Sequence, residues 1–81
     1  MKLPRDLSGH ELAKALRAFG YQVTRQTGSH MRLTTNERGE HHLTIPGHAA
    51  LRIGTLASIL GEVAAHFELS RDDVIARLFG T

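Results

Sequence analysis

The sequence predicts a two-layer α+β fold for its 81 residues. Three observations predict it. Segments near the start and the end carry apolar residues at helical spacing. Three segments between them alternate with the period of a strand, and glycine-bearing turns separate those strands. One face of the resulting sheet is apolar, so the helices must cover it.

The first helix is expected over residues 8–19. Ser8 and Glu11 form a capping box, each able to satisfy an orphan backbone donor. Leu7 and Leu12 can form the hydrophobic staple. Leu12, Ala15, Leu16 and Phe19 make the apolar stripe, and Gly20 is the stop. Strand one is expected from Tyr21 to Gln26, with Tyr21, Val23 and Arg25 on one face. Val23 assigns that face to the core, with Arg25 escaping at the strand end. Thr27-Gly28-Ser29 is the turn.

Strand two is expected from His30 to Thr35. Met31 and Leu33 face the core, so His30, Arg32 and Thr34 face water. Strand three is expected from Glu40 to Ile45, with His41, Leu43 and Ile45 inward and His42 and Thr44 outward. A three-residue loop, Glu37-Arg38-Gly39, closed by Asn36 and Glu40, sets the register. Thr34 then pairs with His42, Arg32 with Thr44 and Met31 with Ile45. A slip of one residue would set Leu33 against His42, which the pattern rejects.

Pro46-Gly47 ends that strand, and residues 48–52 connect to a helix starting at Gly54-Thr55. Leu56, Ile59, Leu60, Val63, Ala64 and Phe67 form its apolar face. A last helix starts at Ser70, where Ser70 and Asp73 resemble a capping box. Val74, Ile75, Leu78 and Phe79 form its stripe, and Gly80 closes it. The order helix, three strands, helix, helix contains the α-β-β-β-α order of the double-stranded-RNA-binding fold. No linker divides the chain, so residues 1–81 are expected to form one domain.

Composition narrows the chemistry. The chain has no cysteine, which excludes disulfides and thiolate metal sites. No run approaches the roughly 18 apolar residues of a membrane span, and the first residues lack the apolar core of a signal peptide. A cytoplasmic location, no membrane association and a free monomer are expected. Residues 1–53 hold eight Lys/Arg against four acids, a net +4, and residues 54–81 hold two against four, a net −2. Five of the six histidines precede residue 49. This asymmetry permits a nucleic-acid face on the first two-thirds of the chain.

His30 is the leading candidate for catalysis. Two turn residues deliver it to the first position of a strand, and Arg32 follows on the same face. Imidazole moves protons near neutral pH. RNA carries its own nucleophile, so a base that takes the 2′-hydroxyl proton can start cleavage with no metal. Arg32 would steady the phosphate. The alternative is an ordinary exposed histidine. His42 sits too far along the partner strand, and His48 is the better second candidate. His41 points inward as a satisfied core histidine. The histidines show no metal-ligand spacing, so neither metal nor other cofactor is expected. Arg52, Gly54 and Thr55 mark a helix N-terminus that suits a phosphate, or form an ordinary cap beside a solvated arginine. No aromatic platform for stacking bases lies on the open sheet face.

Leu7-Ser8-Gly9, Phe19-Gly20-Tyr21, Gly28-Ser29-His30, Ile45-Pro46 with His48, and Ile53-Gly54-Thr55-Leu56 with Ser58-Ile59-Leu60 together resemble the HicA-type toxins, also called the YcfA-like family. The resemblance covers most of residues 3–78. It implies a double-stranded-RNA-binding-like fold and an mRNA endoribonuclease that needs no metal. It places the catalytic histidine at His30 and implies neutralisation by a HicB-type antitoxin. Ser29, Arg32, His48, Arg52, Gly54 and Thr55 are the expected RNA contacts. Ala57 and Ala49-Ala50 stand where the family is often basic. Two other functions fit the residues: an RNA-binding module without catalysis, and a protein-interaction module.

Overall fold

The computed structural model describes residues 3–80; Met1, Lys2 and Thr81 of the expected 1–81 domain lie outside them. The order is α1 (Gly9–Ala15), a 3₁₀ turn (Leu16–Phe19), β1 (Gln22–Thr27), β2 (His30–Thr35), β3 (His41–Pro46), α2 (Ile53–Phe67) and α3 (Arg71–Phe79). The three antiparallel strands form one sheet in the order β1-β2-β3. The shortest dimension is 18 Å, the thickness of one sheet and one helical layer.

α1 starts where the capping box requires. The Ser8 hydroxyl accepts from the Glu11 amide at 3.0 Å, and the Glu11 carboxylate accepts from the Ser8 amide at 2.9 Å. The Ser8 amide first, and then the Ser8 hydroxyl, hold the exposed Glu11 carboxyl below the usual carboxylate range. The helix is shorter than expected, because its last turn tightens to 3₁₀ before Gly20. α2 ends at Glu68, a left-handed residue whose carboxylate pairs with Arg38, itself left-handed in the β2–β3 loop. At α3 the Ser70 hydroxyl accepts from the Asp73 amide at 3.0 Å.

Met31, Leu33, Leu43 and Ile45 point from the sheet into the core. They meet Leu12, Leu16, Phe19, Tyr21 and the apolar face of α2, and α3 closes the far side with Val74 and Ile75. Each such side chain contributes about 1.5–3 kcal/mol by leaving water. Thr35 is the one buried polar residue among the described residues, and its hydroxyl donates to the Phe19 carbonyl at 2.8 Å. The β2–β3 register is the expected one: Thr34 faces His42, Arg32 faces Thr44 and Met31 faces Ile45.

β1 departs from expectation. It runs one residue later, from Gln22 to Thr27, and it carries a bulge at Thr24. Val23 pairs with the buried Leu33, yet it is 48% exposed, because it lines an open groove between β1 and the helix residues His10, Ala13, Lys14 and Arg17. The bulge then shifts the alternation, so that Arg25 pairs with Arg32 and shares its outward face. Arg25 therefore does not escape from a core-facing set. The β1–β2 turn is also tighter than expected: Thr27 pairs with His30, leaving only Gly28 and Ser29 between them. Gly28 has φ +58°, as the first position of a type II′ hairpin demands.

Candidate functional site

The tight turn and the register fix His30. It occupies the first position of β2, between Thr27 on one neighbour and Pro46 on the other. Its side chain is exposed on the sheet face that no helix covers. A shallow hollow there is lined by Arg25, Thr27, His30, Met31, Arg32 and Thr44. Arg32 shares the hollow with His30, two residues or about 7 Å along the strand.

Backbone contacts secure the turn from behind. The Gly47 amide donates to the Ser29 carbonyl, so the end of β3 is tied to the hairpin. The Gly9 amide donates to the His48 carbonyl at 3.0 Å, and the Leu51 amide donates to the Leu7 carbonyl at 2.7 Å. The connecting segment after β3 is thereby stitched to the start of α1. Gly9 permits this approach, since a Cβ there would lie 2.0 Å from the Pro46 carbonyl oxygen.

The other expected contacts spread out from this centre. Ser29 adjoins His30 in the turn. His48 is exposed but does not line the hollow. Arg52 is the N-cap residue of α2 and gives it no side-chain cap bond, while Gly54 and Thr55 stand in its first turn. None of the three lines the hollow either. Ile53 beside them is 76% exposed. The structure adds Arg25 and Thr27 around His30, together with Thr44 opposite Arg32. Nothing in the alternation of β1 marks Arg25, because the bulge that turns it outward involves no glycine.

The remaining histidines have other partners. Nδ1 of His42 lies 2.8 Å from the Thr34 hydroxyl, and its Nε2 lies 2.7 Å from the Glu40 carboxylate. Thr34 continues to Thr24 at 2.8 Å. His42 pairs with Thr34, four positions from the His30–Pro46 pair, or about 13 Å along the strand. His41 is half-buried and its ring stacks on His66 at 4.5 Å. The Tyr21 hydroxyl, pushed up to about 12 by burial and then by Glu62, stays protonated and shares a hydrogen bond of 2.8 Å with Nδ1 of His41. Nε2 of His66 donates to the Glu37 and Gly39 carbonyls. Among the described residues no group of three or more His, Asp or Glu converges as metal ligands, and no helix is long and apolar enough to cross a membrane.

The sequence profile of one family matches residues 9–64, the HicA toxin of bacterial toxin–antitoxin systems. The match runs from the first residue of α1 into α2 and includes the whole sheet. No curated protein and no solved structure matches the chain. Toxins of this kind work opposite an antitoxin, so such a partner is implied in general terms. The matched span exceeds two-thirds of the sequence, and the chain belongs to the HicA toxin family of bacterial toxin–antitoxin systems.

Proposed function

We propose that the chain is an endoribonuclease toxin that cleaves mRNA without a metal, with His30 as general base and acid. The observation that carries this reading is the setting of His30. It is exposed at the start of β2, on the uncovered sheet face, with Arg32 in the same hollow.

In this mechanism His30 takes the proton of a ribose 2′-hydroxyl. The 2′-oxygen bonds to phosphorus as the bond from phosphorus to the 5′-oxygen breaks. The 5′-oxygen takes a proton from solvent, and the products are a cyclic phosphate and a 5′-hydroxyl. Protonated His30 then returns its proton to water. Such proton transfer contributes about 10²–10⁴-fold. Arg32 steadies the RNA backbone by charge-assisted hydrogen bonds to a phosphate. Ser29 beside the turn, and His48, Arg52, Gly54 and Thr55 farther off, serve to bind the RNA strand. The free N–H groups at the start of α2 suit a phosphate.

The antitoxin implied by the family is a HicB-type protein that covers the open sheet face, where it would bar RNA from His30. Cleavage of mRNA sets the work of the toxin in the cytoplasm. The test is induced expression in a bacterial host of the wild type beside His30→Ala, with total mRNA integrity followed over time. Growth arrest and mRNA loss with the wild type alone are expected. Arrest by both proteins with mRNA intact would instead favour an RNA-binding module without catalysis.

A further inference from the structure

The open sheet face carries a like-charge pair that does nothing for the free protein. Arg25 lies directly across from Arg32, and both side chains are exposed. Like charges facing each other across two strands are destabilising. Neither guanidinium has an ion-pair or hydrogen-bond partner among the described residues, where the ion pairs are Arg38–Glu68 and His42–Glu40. The bulge creates this pair. Uninterrupted alternation from Val23 would have put Arg25 on the helix side of the sheet. The Thr24 hydroxyl reaches the Arg32 carbonyl at 3.3 Å and pins the bulge against β2. Both arginines line the hollow that contains His30, and the Thr27 and Thr44 side chains complete it.

We propose that Arg25 and Arg32 form a clamp for one phosphate of the RNA backbone, the neighbour of the phosphodiester that is cleaved beside His30. This rests on the endoribonuclease reading above. Two guanidiniums offer planar forks of donors that match phosphate oxygens. A phosphate between them removes their mutual repulsion, so the cost borne by the free sheet returns as binding. Two such groups on paired strands are held at fixed spacing. The clamp reads no base, and it sets where along the strand the reacting ribose comes to rest. Arg25 is a positioning residue, apart from the chemistry at His30.

The test uses a fluorescent single-stranded RNA oligonucleotide carrying 2′-O-methyl riboses, which binds and cannot be cut. Wild type, Arg25→Ala, Arg25→Glu and Arg32→Ala are titrated at several salt concentrations. Arg25→Ala is expected to lose about tenfold in affinity and to flatten the log–log salt dependence by about 0.7. Arg25→Glu, which would pair with Arg32 and block the site, is expected to lose more. The urea midpoint of Arg25→Ala without RNA is expected to equal or exceed that of the wild type, whereas a merely structural arginine would lower it. On cleavable RNA the variant should raise KM with far less effect on kcat. Unchanged affinity and salt slope in all three variants, while the wild type still cleaves RNA, would overturn the clamp and leave the ribonuclease reading intact. Weakened antitoxin capture with RNA binding unchanged would overturn it too, by assigning the pair to a protein. A wild type that neither binds nor cleaves RNA would sink the reading and the clamp together.

Discussion

Tyr21 and His41 share a hydrogen bond of 2.8 Å between the residue just before β1 and the first residue of β3. A protonated phenol and a neutral imidazole can share this bond in either direction. Both groups titrate in the direction that preserves it. Burial first, and then the neighbouring His66, hold His41 below its ordinary value of 6.5, with His42 adding to the effect and Glu62 opposing it. Burial pushes Tyr21 up from 10.0 to about 12.

The pair therefore sets both edges of a pH plateau. Below 6.5 the unfolded chain binds the His41 proton more readily than the folded one, so stability falls as the pH drops through that range. Above 10.0 the unfolded chain releases the Tyr21 proton more readily, so stability falls again as the pH rises toward 12. Thermal unfolding between pH 5 and 11 is expected to show this plateau. His41→Gln should flatten the acid limb, and Tyr21→Phe the alkaline limb.

His30→Ala should separate activity from folding. The imidazole is exposed and makes no hydrogen bond among the described residues. Its removal is expected to change stability by at most about 0.5 kcal/mol while RNA cleavage disappears. Urea denaturation beside a cleavage assay checks both halves. A large loss of stability would show that the residue supports the hairpin.

Val23 and Leu33 are cross-strand partners with opposite expected sensitivities. Val23 is half exposed and Leu33 is fully buried. Val23→Thr should cost at most about 0.5 kcal/mol, and Leu33→Ala about 2–5 kcal/mol. Comparing their urea midpoints tests whether any part of the molecule covers the edge strand. An equal and large cost at Val23 would contradict the exposed position.

Gly9→Ala is expected to be among the costliest substitutions of one methyl group. The new Cβ would overlap the Pro46 carbonyl, and backbone on both sides has little room to yield. A loss of about 1–3 kcal/mol is expected, read from the denaturation midpoint. The amide signals of Gly47, His48 and Leu51 should shift with it, because those residues lean on the start of α1.

Ser8→Ala removes one half of the capping box and leaves the Glu11 amide without its acceptor. About 1 kcal/mol of stability is expected to go with it. Faster amide exchange confined to the first turn of α1 would localise the effect.

The residues that announced themselves in the sequence are those whose signals are local. Ser8 and Glu11 mark a helix start by themselves, and the length of the loop after Thr35 fixes the pairing of β2 with β3. The position of His30 followed from the turn before it and the alternation after it. β1 was less legible. Thr24 and Arg25 look like ordinary members of an alternating strand, and a bulge adds one residue without needing glycine. The outward face of Arg25 follows only once the count of residues between the β1–β2 turn and Tyr21 is set against the buried tyrosine. The docking of His48 and Leu51 at the start of α1 was also hidden, because it consists of backbone bonds that no side chain advertises.

The bulge at Thr24 has a consequence for the company the molecule keeps. β1 is an outer strand, and one side of its backbone has no partner in the sheet. A regular six-residue border of that kind is a template on which a second chain can zip. The extra residue twists the border and breaks the repeat of donors and acceptors that an incoming strand would have to match. Copies of the toxin crowded together in a cell should therefore slide past one another along this border rather than fuse into a continuous sheet.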